Sequence, residues 1–99
     1  MFGLIGKMRA LPGKRDELLA ILLGSTGAMP GCLSYVIARD PTDADAIWIT
    51  EVWDDRDSHK ASLQLPEVRA AIGQAMPLIA GFDSSIETQP AGGFGLASA

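Results

Sequence analysis

The chain has 99 residues, of which 47% are apolar and 20% charged, the composition of one ordinary globular domain rather than of a disordered segment. A net charge of −4, with no basic run beyond Lys14-Arg15, offers no footprint for nucleic acid or for an anionic membrane surface. A single Cys excludes an intrachain disulfide, and no apolar run approaches the roughly 20 residues of a membrane span. The first residues lack the basic-then-apolar order of a secretion signal, so a cytoplasmic protein is expected.

Phe2–Ala10 has the length and character of a strand, broken by Leu11-Pro12-Gly13. Residues 14–23 read as a helix, with Asp16 and Glu17 in the first turn, where the helix dipole favours negative charge. Leu18, Ile21 and Leu22 recur at helical spacing along its buried stripe. Met29-Pro30-Gly31 makes a turn into a second strand, Cys32–Arg39. The turn formers Asp40-Pro41-Thr42-Asp43 then lead to a third strand, Ala46–Trp53, and the short link predicts an antiparallel hairpin.

Asp54, Asp55 and Asp57 offer capping oxygens to a helix expected to run to about residue 65. Pro66 suits the first turn of the next helix. There Val68, Ala71, Ile72, Ala75, Met76 and Ile79 form an apolar stripe, with Pro77 expected to end or kink it. Residues 82–88 alternate as a fourth strand. The domain therefore spans residues 1–88, and residues 89–99 form a Gly-rich tail, expected to be mobile unless a partner holds it.

The order β-α-β-β-α-α-β predicts an α+β, ferredoxin-like antiparallel sheet with helices on one face. Alternation along the third strand puts Ile47, Ile49, Glu51 and Trp53 on one side and Trp48, Thr50 and Val52 on the other. Both sides are mostly apolar, so both need a cover. The simplest cover for the helix-free side is a second copy, which predicts a homodimer.

Glu51-x-Trp53, an acidic turn, Ser-Leu-Gln-x-Pro over residues 62–66 and the amphipathic helix after it form one ordered pattern. With the first strand, the LPGKRDEL segment of residues 11–18 and Gly31-x-Leu33-x-Tyr35, it resembles the antibiotic biosynthesis monooxygenase superfamily. That family comprises cofactor-independent quinol and anthrone monooxygenases with a dimeric α+β barrel fold, and the resemblance covers roughly residues 1–88, almost the whole chain. It implies a pocket in each subunit between sheet and helices, with Trp53 on its wall and histidines on the helix that follows. Ser62 and Glu67 stand where many relatives carry His. His59, three residues before Ser62, shares a helix face with it and would supply the imidazole from one turn away.

Oxygenation without a flavin needs an electron-rich phenolate or enolate, so the protein must take a proton, stabilise the anion and exclude water. His59 is the candidate catalytic base, since histidine titrates near neutrality; its competing reading is an exposed or capping histidine beside Lys60. Trp53 would stack on an aromatic ring and donate its N–H to an oxyanion, or simply fill the core. Glu51 is either a tuned acid/base or a structural partner of an Arg or a backbone N–H group. Tyr35 is a hydrogen-bond donor to substrate or a core residue, and Ser62 a polar pocket group or a solvated helix serine.

Cys32 reads as a small buried hydrophobe. One His without a paired ligand spacing predicts no metal, and no cofactor is expected. Haem degradation on related barrels calls for an Asn on the first strand, which FGLIGKMRA lacks. Gly92-Gly93-x-Gly95 is not framed by a βαβ unit and is no dinucleotide fingerprint. The expected partners are a small aromatic substrate, dioxygen and a second copy of the chain. A non-catalytic small-molecule binding or stress-response protein, or an isomerase, is the alternative on the same fold.

Overall fold

Four strands carry the fold in a computed structural model that describes residues 1–27 and 29–96. The elements are β1 (Phe2–Ala10), α1 (Arg15–Gly24), β2 (Cys32–Arg39), β3 (Ala46–Trp53), α2 (Arg56–Ser62), α3 (Pro66–Ala75) and β4 (Ile79–Thr88), with a 3-10 turn over Met76–Leu78. The sheet is antiparallel throughout, in the order β2-β3-β1-β4, which is the ferredoxin-like α+β arrangement. Residues 97–99, the end of the expected tail, lie outside the described residues.

The core forms where α1 and α3 lie on the sheet. Leu18 and Leu19 of α1, Ala10 of β1, Ile47 and Ile49 of β3 and Ala75 of α3 are all buried in one cluster. Removing Leu18 to Ala would cost about 2–5 kcal/mol, the range for fully buried leucines.

Two prolines set the ends of α2 and α3 earlier than the apolar pattern suggests. α2 stops at Ser62 rather than near residue 65. Pro66 disfavours helical backbone in the residue before it, and Leu65 is extended (φ −64°, ψ 135°). The carbonyls left over at the end of α2 are satisfied by tight turn bonds from Leu63, Gln64 and Leu65 to Lys60, Ala61 and Ser62. α3 ends at Ala75, because Pro77 brings no N–H and crowds the preceding turn. Met76 therefore sits in the 3-10 turn, and Ile79 opens β4 three residues before the expected start.

β4 is also irregular, with register shifts that leave Ala80 and Asp83 unpaired against β1. The shift at Asp83 matters for the site. It places Phe82 opposite Met8 on the helix side, while Ser84 pairs with Lys7 on the other.

Among the described residues, no helix covers the other side of the sheet. Val36, Thr50, Ile5 and Ile86 make one row across all four strands, and Val36 and Ile86 are exposed. Beside this row, Trp48 donates its indole N–H to Asp40 at 2.8 Å, with the Lys7 ammonium 5.3 Å from its ring centre.

Candidate functional site

The five side chains singled out from the sequence, Tyr35, Glu51, Trp53, His59 and Ser62, all line one cavity of about 90 Å³ between the sheet and α2. Strand register brings the first three together. Glu51 lies directly opposite Tyr35 of β2, and Trp53 lies two residues beyond Glu51 on the same side of β3.

α2 delivers the other two. Asp55 caps it, accepting from the Ser58 backbone N–H at 2.8 Å. Gly31 packs beneath the same turn with φ +82°, and its carbonyl accepts from the Asp54 N–H at 2.9 Å. A Cβ at Gly31 would lie 2.5 Å from Ser58 Oγ and 2.7 Å from Asp54 Oδ1, so only glycine lets this loop seat the helix. His59 then falls one turn into α2, facing β3.

The polar centre is the Trp53–Glu51–His59 trio. Trp53 Nε1 donates to Glu51 Oε1 at 3.0 Å, and His59 Nε2 stands 3.7 Å from the same oxygen. The imidazole meets the Trp53 indole edge-on, with centroids 5.5 Å apart, and its other neighbour is the Phe2 ring at 5.6 Å. Phe2 in turn lies under Arg56, whose guanidinium carbon is 4.6 Å from the ring centre and which pairs with Glu87 of β4. Aromatic planes on both sides thus restrict the His59 ring.

The surroundings act on protonation in definite directions. Burial raises the Glu51 pKa, and the Trp53 hydrogen bond and the nearby His59 oppose that rise. Tyr35 is raised by burial and by the neighbouring Glu51, so its hydroxyl stays a donor at neutral pH. The Cys32 thiol is also raised, chiefly by desolvation, although the residue is only partly buried rather than the buried hydrophobe expected.

Two expectations change. The Trp53 N–H is engaged by Glu51, so it holds a carboxylate instead of waiting for a substrate oxyanion. Ser62 donates its hydroxyl to the His59 carbonyl at 2.6 Å, so its proton braces the helix and only its lone pairs face the cavity. Of the two alternatives for Glu51, its partners among the described residues are an indole and an imidazole, with neither an Arg nor a backbone N–H of those residues hydrogen-bonded to it.

A second, larger cavity of about 310 Å³ adjoins the first and shares Ser25, Tyr35, Glu51, Leu63 and Val68 with it. It extends between α3 and the β1–β4 side of the sheet, with Met8, Ile72, Met76 and Phe82 among its walls. Sequence reading missed these walls, because Ile72 and Met76 look like core positions and Phe82 reaches the helix side only through the bulge at Asp83. It also missed Phe2, whose contact with His59 depends on the register of β1 against β3. Glu67 stands apart from the trio, on a cleft of about 190 Å³ near the end of α1. Among the described residues, no group of His, Cys, Asp and Glu side chains is arranged to hold a metal. No helix there is long and apolar enough to cross a membrane.

Fold and cavity together define a class: a ferredoxin-like α+β protein with a small-molecule-sized space between its sheet and its helices. Residues 1–74 match the antibiotic biosynthesis monooxygenase family, and the chain belongs to that family. The crystal structure of a protein from Chloroflexus aurantiacus, provisionally described as an antibiotic biosynthesis monooxygenase, is 62% identical to it. That match covers 97% of this chain and 98% of the other, with a TM-score of 0.94. A protein from Deinococcus radiodurans with the same provisional description shares the fold at 23% identity and a TM-score of 0.78, over 95% of this chain and 96% of its own. No curated protein matches the sequence.

Proposed function

We propose that the protein is a cofactor-independent monooxygenase of a small quinol-like or polyketide-like aromatic, acting as a cytoplasmic homodimer. The observation that carries this reading is the Glu51–His59 pair, 3.7 Å apart, at the polar end of a largely apolar cavity. His59 takes the proton of a substrate phenol or enol, and the Glu51 carboxylate then faces an imidazolium rather than a neutral ring. Trp53 holds Glu51 in place for that task. Tyr35, kept protonated, donates to the substrate oxyanion.

The resulting electron-rich anion reduces dioxygen itself. One oxygen atom bonds to the substrate carbon and the other leaves as water, with the substrate supplying all four electrons. The reaction balances without an added reductant. The row of Val36, Ile5 and Ile86 on the uncovered sheet face supports the homodimer, because an apolar face of this kind is normally buried against a partner.

The same proton-accepting pair would also serve an isomerase, and labelled oxygen separates the two. Under ¹⁸O₂, turnover of an anthrone or a hydroquinone is expected to put one labelled atom into the product. Product carrying no label, or double-bond migration under argon, contradicts the monooxygenase and favours proton transfer alone.

A further inference from the structure

We propose that the ligand of this cavity is an uncharged ring system bearing an apolar arm. Its hydroxyl lies at Glu51 and His59, and the arm leaves between α3 and β4 across Ile72, Met76 and Phe82. The inference rests on reading the cavity as the binding site and is independent of the oxygen chemistry.

Three observations carry it. Among the described residues lining the two adjoining cavities, none is Lys or Arg, while Glu51 is a half-buried acid at their junction. A carboxylate, sulfonate or phosphate on the ring would lose its water there and gain no cation in return, and it would also face Glu51. The polarity is one-sided: Trp53, His59 and Ser62 line only the small cavity, Ser25, Tyr35 and Glu51 stand at the junction, and the far part of the larger cavity is apolar, with Met8, Ile49, Ala75 and Ile79 among its walls.

The third observation concerns the way out. Phe82, Met76 and Ile72 line the larger cavity yet are 66%, 53% and 44% exposed, so the apolar wall continues past the cavity to the surface. A ring alone would fill the inner part and leave this lip wet. An arm of a few carbons would lie on it without meeting a polar group, and the lip is continuous with the site that holds the ring. That continuity identifies the occupant as part of the ligand rather than a separate partner.

The test is a matched set of probes, 1-naphthol, 4-butyl-1-naphthol and 1-naphthol-4-sulfonate, titrated anaerobically into the full chain by calorimetry. A fully buried methylene tightens binding about fourfold and a half-covered one about twofold, so the butyl probe is expected to bind about tenfold more tightly than 1-naphthol. The sulfonate is expected to bind at least tenfold more weakly. In Met76→Ser/Phe82→Ser most of the butyl gain is lost, whereas Leu23→Ser, at an exposed α1 position away from both cavities, keeps it.

A butyl gain below twofold, a gain that survives the double substitution, or equal binding of the sulfonate overturns the proposal. So does a double substitution that leaves the probe ratios unchanged and alters the oligomeric state, which would make the lip a contact between copies. Because dioxygen is absent, these outcomes stand apart from the monooxygenase reading. The arm can be confirmed while oxygen uptake fails, or the reverse.

Discussion

Trp53 and Glu51, two residues apart on one strand, are joined side chain to side chain: the indole Nε1 donates to the carboxylate at 3.0 Å. This bond holds a half-buried carboxylate beside the only imidazole of the chain. Trp53→Phe keeps the aromatic plane and removes the donor. Since burial raises the Glu51 pKa and this bond opposes the rise, the substitution is expected to raise it further. The NMR titration of the Glu51 carboxyl carbon reads this directly, and an unchanged or lower value would show that the bond does not hold the charge. Catalytic rate is expected to fall about tenfold, consistent with loss of about 1.4 kcal/mol of charge-assisted bonding.

The pH dependence of stability has two opposed parts. Glu51 has a raised folded-state pKa, so the folded protein holds its proton more tightly than the unfolded chain. Its contribution is most favourable below the unfolded value and is lost as pH rises through the folded one. Asp40 is lowered, chiefly by the Thr42 backbone N–H and the Trp48 indole, so its contribution is present above the unfolded value and lost as pH falls. Glu51→Gln is therefore expected to gain Tm relative to the parent as pH rises from 4 to 7. Asp40→Asn is expected to lose Tm at pH 7, with the loss shrinking on acidification. Thermal melts of both variants across that range check the signs.

Gly31→Ala tests how α2 is seated. The left-handed backbone alone costs about 1–2 kcal/mol for a residue with a Cβ, and here the added carbon also collides with Ser58 and Asp54. Gly13, at φ +78°, has open space around it, so Gly13→Ala carries the backbone cost alone. Urea denaturation is expected to place Gly31→Ala below Gly13→Ala in stability. Activity is expected to fall only in the former, because His59 rides on α2.

The helix-free sheet face gives the quaternary prediction. Val36→Lys with Ile86→Lys puts two charges into the exposed row around Ile5 and Thr50. Sedimentation at micromolar concentration is expected to show a dimer for the parent and a monomer for the variant. A parent chain that sediments as a stable monomer contradicts the dimer.

Much of this site was legible because it is built from short-range pattern. Alternation along β3 already placed Glu51 and Trp53 on one side and Trp48 on the other, and the cluster of Asp54, Asp55 and Asp57 announced the start of α2, where Asp55 is the cap. The remainder depends on relations that periodicity does not encode. Pro66 opens α3 and Pro77 ends it as their positions announce, but α2 stops at Ser62, three residues before its expected end. The bulge at Asp83 reversed the side on which Phe82 lies, and with it the character of the cavity mouth. Phe2 reaches His59 only through the pairing of β1 with β3, a contact between residues far apart in the chain. The engagement of the Trp53 N–H required knowing which acceptor lay within reach, and Glu51 Oε1 lies 3.0 Å away.

In the proposed function His59, steadied by Glu51, starts the oxygenation of an uncharged aromatic. Oxygen uptake by the parent chain, His59→Ala and Glu51→Gln, measured over one panel of hydroquinones and anthrones, tests it most directly. Uptake above the uncatalysed background is expected for at least one substrate, with one dioxygen consumed per product. A fall of about 100-fold or more is expected in His59→Ala, the scale of a lost general base. Parent uptake at background across the panel, or His59→Ala matching the parent, contradicts it.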